Sequence, residues 1–326
     1  MKMRISENFE HTSVLLQESI EGLDIKTDGI YLDGTVGGAG HSSEIIKRLS
    51  KEGLLIALDK DDDALEVANE RLKNVDSAAG FELFKANFAD FEEVLSKLNV
   101  EKLDGIILDL GVSSWQLDEA ERGFSYMNDG PLDMRMDNVN GESAAELLAR
   151  IDEASLAELL FKYGEERNSR RIAESIIWHR ENIAPISRTK DLAEIIIKAQ
   201  PTKSRREKQH PAKRAFQALR IYVNKELQDL ENFLDKAPDY VNAGGRICII
   251  TFHSLEDRLV KQAFRNWEDP CICPNNLPVP CVCGKKTLGT SNPRNGVVAD
   301  QLERVENPRS RSARLRSFVR NSNPRI

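Results

Sequence analysis

The stretch Asp33-Gly34-Thr35-Val36-Gly37-Gly38-Ala39-Gly40-His41 sets a carboxylate directly before a run of glycines. Glycines there let the main chain turn tightly and approach a ligand that side chains would hold off. A phosphate-cradling loop of the GxxxxGK[ST] type fails, because no Lys-Ser/Thr follows. A dinucleotide fingerprint G-x-G-x-x-G fails too, because Gly38-Ala39-Gly40 runs on into His41-Ser42-Ser43. What remains, an acid closing a strand with a glycine loop behind it, is the usual arrangement for S-adenosylmethionine. The loop alone reads equally as a plain tight turn. Two further acids weigh in favour of a ligand. Asp59 closes the apolar run Leu54–Asp59, where a carboxylate can accept hydrogen bonds from both ribose hydroxyls, and Asp109 closes Gly105–Asp109. Each acid singly could be a helix N-cap. Ligands of an open parallel sheet sit at the strands' carboxyl ends, so three strands ending in Asp point at one crevice.

The elements that must position these residues alternate. Strand signals at Gly29–Asp33, Leu54–Asp59, Phe81–Ala86 and Gly105–Asp109 are separated by helical patterns, which is the signature of βαβ units and a parallel sheet covered on both faces. From about Ala144 to Ile197 only helical periods follow. The spacing then predicts one long helix after Pro211, with Phe216, Leu219, Val223, Leu227, Leu230 and Leu234 along one stripe and Lys213, Arg214, Arg220 and Lys225 on an exposed basic face. A strand returns at Arg246–Phe252. The expected fold is α/β: a doubly wound, Rossmann-like sheet with an all-helical insertion after its fourth strand. The expected boundaries are 1–117 for the first part of the sheet domain, 118–212 for the insertion and 213–326 for the second part with a basic tail.

The chain has 326 residues, 40% of them hydrophobic, enough for a sizeable core. No segment approaches the roughly 20 apolar residues of a membrane helix, and no export signal is visible, so the expected location is the cytoplasm. Net charge is −7, but Lys198–Lys225 carries +8 and Arg304–Ile326 carries +6; these two segments hold +14, so the remainder carries −21. Two concentrated basic segments on an acidic protein suggest a polyanionic partner, although each is also readable as a solvated stretch. Cys271-x-Cys273 and Cys281-x-Cys283 invite a zinc site. Against it, ligand pairs usually have two to four residues between them, so no metal is assigned.

The sequence resembles the MraW family of ribosomal RNA small-subunit methyltransferases. The likeness is carried by His11–Leu16, Asp33–His41, Asp109-Leu110-Gly111-Val112-Ser113-Ser114, Glu121-Arg122-Gly123-Phe124-Ser125 and Gly130-Pro131-Leu132-Asp133-Met134-Arg135-Met136-Asp137. It continues in Tyr163–Arg167, Phe252-His253-Ser254-Leu255-Glu256-Asp257-Arg258 and Asn307–Ser312. The resemblance implies an S-adenosylmethionine-dependent enzyme that methylates N4 of a cytidine in the decoding centre of 16S rRNA, with the RNA within the small ribosomal subunit as the expected partner. It also implies cofactor contacts from Ala39, Gly40, His41, Asp59, Phe88, Asp109 and Gln116, beside the loop glycines Gly37 and Gly38.

Cytosine N4 is a poor nucleophile, because its lone pair is delocalised into the ring. Asp109 and nearby carbonyls are the expected acceptors for its N–H bonds, with in-line positioning as the main contribution. His253 stands either as the base that takes the amine proton or as part of a helix start, with Ser254 as N-cap and Asp257 three residues on. For the RNA, the expected contacts are Lys213, Arg214 and Arg220 on a helix face bordering the crevice. Arg135 is expected to reach the flipped nucleotide, Arg258 is a further expected substrate contact, and the Arg-rich tail 309–325 is expected to order on RNA. Two other classes remain open: a non-catalytic RNA-binding protein on this fold, and a DNA amino-methyltransferase. The Pro-Pro-aromatic motif common in the latter is missing after Asp109.

Overall fold

The computed structural model describes residues 13–201, 209–273 and 283–323. His11, Thr12, Cys281, Arg325 and part of the first basic segment lie outside these. The strands are β1 (Ile30–Asp33), β2 (Leu54–Asp59), β3 (Gly80–Lys85), β4 (Leu103–Asp109), β5 (Val241–Thr251), β6 (Gly289–Ser291), β7 (Val297–Val298) and β8 (Arg314–Arg320). They form one sheet in the order β3-β2-β1-β4-β5-β8-β6, with β7 also on β8. The first five are parallel, and β8 runs antiparallel to β5.

Period-two alternation divides the strand side chains between two apolar cores. Leu32, Ile56, Leu58, Ile106, Leu108, Ile247 and Ile249 meet Phe91, Leu230, Phe233, Val260 and Phe264 from the helices Phe91–Lys97, Glu226–Lys236 and Ser254–Glu268. Tyr31, Leu55, Ala57, Ile107, Cys248 and Ile250 meet Ile20, Ile45, Ala68 and Leu72 from Leu16–Leu23, Gly40–Ile46 and Asp62–Lys73. Helices on both faces explain why these strands are near-continuous apolar runs. The chain starts at β1, winds out to β3, then crosses to β4, so the order reverses between β1 and β4.

The chain separates into two compact units, 1–111 with 228–326, and 112–227. The second unit is helical. Ala144–Arg150, Glu153–Gly164, Ser169–Asn182, Thr189–Ala199 and Lys213–Asn224 enclose Leu147, Leu156, Leu160, Ile172, Ile176, Leu192, Ile196, Phe216 and Leu219. The insertion therefore runs past the expected limit at 212. The single long helix is two: Lys225, left-handed at φ 54°, ends Lys213–Asn224 and a second helix begins at Glu226. The stripe keeps its period, but its halves serve different cores, Phe216 and Leu219 the helical one, Leu230 and Leu234 the sheet's. The tail differs as well. Arg314–Arg320 is a strand inside the sheet, with Leu315 and Phe318 in the core. Arg316 makes a two-pronged pair with Asp257 at 2.7 and 3.0 Å, and Arg320 donates to the carbonyls of Pro238 and Leu288. These arginines satisfy buried partners in the fold, so the strand is no RNA-ordered arm.

Gly164 sets the closest approach in the helical unit. A Cβ there would lie 2.5 Å from the Arg214 carbonyl oxygen and 3.2 Å from Ala218 Cβ. Gly164→Ala should force the helices Glu153–Gly164 and Lys213–Asn224 apart and cost about 1–3 kcal/mol, read as a lowered unfolding midpoint in denaturant.

Candidate active site

The carboxyl ends of β1, β2 and β4 carry Asp33, Asp59 and Asp109, and the loop after β1 ties them together. Asp33 accepts from the Thr35 N–H at 3.1 Å and from the Ser42 hydroxyl at 2.6 Å, which pins both ends of the glycine loop to one side chain. Asp59 accepts from the Gly37 N–H at 2.9 Å and the Asp61 N–H at 3.0 Å. The Asp109 N–H donates to Thr35 Oγ1 at 2.7 Å. Phe88, opening the turn after β3, lies over the loop: a Cβ on Gly34 would sit 2.9 Å from Phe88 Cβ and 2.3 Å from Leu108 Cδ2, so only glycine fits there. Gly37 and Ala39 both take left-handed backbone, and Ala39 caps the helix Gly40–Ile46 from that conformation. An alanine so placed is strained, by an amount on the order of 1 kcal/mol, and the loop holds it nonetheless.

Charge is the outstanding property of this crevice. Burial pushes the carboxyls of Asp33 and Asp59 up to about 6. Asp109 is raised well above the ordinary carboxylate range, first by burial and then by the neighbouring charges of Asp33 and Glu256. Its Oδ1 is buried with no hydrogen-bond partner among the described residues. His41 Nδ1 lies 3.8 Å from Asp109 Oδ2, but it supplies no cation. Burial lowers the ring's pKa to about 4, and Nε2 meets the Val14 carbonyl at 3.2 Å. Three carboxyls without a resident counter-charge suit a ligand that brings its own positive charge and hydroxyls to donate, and S-adenosylmethionine does both.

The remaining expected residues divide. Gln116 lies in the helical unit and caps Ser114–Asp118: its N–H donates to Ser113 Oγ, and its Oε1 accepts from the Ser113 N–H at 3.0 Å. His253, not Ser254, is the N-cap of Ser254–Glu268, and Glu256, not Asp257, completes the capping box. The His253 Nδ1 accepts the Glu256 N–H at 3.4 Å, and its Nε2 lies 3.1 Å from Glu256 Oε1. The capping box engages Nδ1 and bears out the helix-start reading, whereas Nε2 is buried and has no hydrogen-bond partner among the described residues. Arg135 is committed to Asp133 by two 2.7 Å bonds, and Arg220 to Glu226 by two of 2.9 Å. Both guanidiniums are thus ion-paired within the helical unit. Lys213 and Arg258 are exposed and Arg214 is half-buried.

Sequence reasoning missed Ser42, Thr35, Val14 and Glu256. Glu256 alone carried a signal, as the acid three residues after a possible cap. The others act through a hydroxyl or a carbonyl, which no spacing rule marks.

A family model described as the MraW methylase family matches residues 8–321. The chain is 49% identical over 308 residues to the ribosomal RNA small subunit methyltransferase H of Ruminiclostridium cellulolyticum, covering 94% of this chain and 98% of that protein. Identity and coverage are the same for the protein of that name from Clostridioides difficile. For the one from Lachnospira eligens the figures are 49% over 312 residues, 96% and 98%. With the acid-lined strand ends in place, the chain belongs to the MraW methylase family of S-adenosylmethionine-dependent methyltransferases.

Proposed function

We propose that this protein methylates N4 of a cytidine in the decoding centre of 16S rRNA, on a base turned out of its stack. The observation that carries the chemistry is Asp109, a half-buried aspartate whose Oδ1 is buried and unpartnered among the described residues, at the reversal point of the sheet. The names of the relatives support ribosomal RNA as the substrate. The resemblance in Asp109–Ser114 and Gly130–Asp137 supports the choice of nitrogen.

S-adenosylmethionine, when bound, supplies an electrophilic methyl group on a cationic sulfonium. The chain's residues do the rest by holding. Asp59 is the acceptor for ribose hydroxyls, and Gly37, Gly38 and Ala39 bring main chain rather than side chains to the ligand. Phe88, whose Cβ borders the loop and whose ring packs edge-on 5.9 Å from Phe233, is the proposed adenine contact, and His41 stays neutral there. Asp109 accepts an N4 hydrogen, which orients the nitrogen and draws charge onto it as the proton becomes acidic. A positive charge nearby favours the ionised form of Asp109 that this needs. Turning a base out costs a few kcal/mol, offset by phosphate contacts that need not read sequence. Lys213 and Arg214 are the residues of the expected basic helix left for this. Arg258, exposed in the first turn of Ser254–Glu268, is a further contact.

The direct test presents labelled cofactor to 30S subunits, naked 16S rRNA and duplex DNA, followed by nucleoside analysis. N4-methylcytidine in the rRNA is expected; label in another nucleoside, or in DNA alone, contradicts the reading. Asp109→Asn should lower the transfer rate at saturating cofactor by about 10²-fold or more, and an unchanged rate removes its role. Lys213→Ala/Arg214→Ala should weaken rRNA binding and flatten its salt dependence by up to about one log–log unit per lost phosphate contact, with cofactor affinity unchanged. A wild-type salt slope would place the RNA face elsewhere.

A further inference from the structure

A loop joins Ser254–Glu268 to β6. Its ends are fastened: the Leu288 N–H donates to the Trp267 carbonyl at 2.8 Å, and Leu288 is buried. Between these points, none of the described residues 269–273 and 283–287 is buried. Three thiols nonetheless meet there. The Sγ atoms of Cys271, Cys273 and Cys283 all lie within 4.8 Å of one another, and those of Cys271 and Cys283 are 3.9 Å apart.

We propose that Cys271, Cys273 and Cys283 bind a structural zinc ion. A zinc–thiolate bond of about 2.3 Å in tetrahedral geometry puts neighbouring sulfurs about 3.8 Å apart, the separation found for Cys271 and Cys283. A disulfide needs about 2.05 Å. The short C-x-C spacing that argues against a site within one arm loses its force, because the ligands come from both arms, and Cys283 closes the metal's shell across the loop. Zinc replaces the three thiol protons, which pass to solvent, and no redox step is involved. Lys285 and Lys286 follow directly and offset the negative charge of a thiolate-bound metal. A further donor takes the fourth corner; Cys281 lies outside the described residues. The ion does for this loop what an apolar core does elsewhere, clamping the arm that leads into β6.

The test is metal analysis of the full-length protein, purified under reducing conditions, loaded with zinc and freed of excess by gel filtration. About one zinc per chain is expected in the wild type, falling below about a tenth of an equivalent in Cys271→Ser/Cys283→Ser. A thiol-specific mercurial should release the metal from the wild type, a result that does not depend on the variant's folding. Cobalt substitution should add a thiolate-to-metal charge-transfer band. Less than about a tenth of an equivalent in the zinc-loaded wild type, no release by the mercurial, or undiminished zinc in a double variant of wild-type circular dichroism overturns the proposal.

Discussion

A carboxylate taken out of water with no cation beside it is costly, and the sheet unit holds three at the ends of β1, β2 and β4. Their company is a consequence of topology. Parallel strands all deliver their carboxyl ends to one edge, and the reversal between β1 and β4 leaves room there for a ligand. The glycine loop then does two jobs. It turns main-chain N–H groups toward Asp33 and Asp59, and it keeps side chains away from the space those acids face. The N–H bonds only partly offset the loss of water, since both carboxyls stay raised to about 6. Between about pH 4 and pH 6 the folded chain therefore holds protons that the unfolded chain has lost. Asp33 and Asp59 consequently subtract stability as pH rises through that window. A cationic ligand removes this penalty, so the cost in the free protein becomes affinity for the cofactor.

In the helical unit, strings that carry the family likeness hold one another in place. Arg122 is buried and donates to the carbonyls of Arg135 and Met136, while Asn224 holds Met136 N–H and Met134 O at 2.7 Å each. Glu121–Ser125 and Gly130–Asp137 thus brace one another. Arg135 is part of that brace through Asp133, which gives it a place in so specific a string beside any part it plays with substrate.

The sheet, the three acids and the glycine loop were legible because each leaves a local mark: an apolar run, an acid at its end, a turn. The other misreadings share a cause. Lys213 to Lys236 keeps one helical period across a break, since periodicity cannot register a single left-handed residue at Lys225. Arg314–Arg320 looks too charged to be a central strand until Asp257 and the carbonyls of Pro238 and Leu288 receive its arginines. His253 looks as much a base as a cap, because sequence spacing does not show that its Nδ1 accepts the Glu256 N–H. In each case the deciding partner lies on another turn or another strand, where sequence distance says nothing about contact.

If this crevice is a set of desolvated carboxyls awaiting a cation, carboxyl-carbon NMR titration of aspartate-labelled protein will show it. Without cofactor, Asp33 and Asp59 should titrate near 6 and Asp109 well above the ordinary carboxylate range. With S-adenosylmethionine bound, all three should move down. Carboxyls that titrate at ordinary values in the free protein, or that stay raised when the cofactor is bound, would contradict the account.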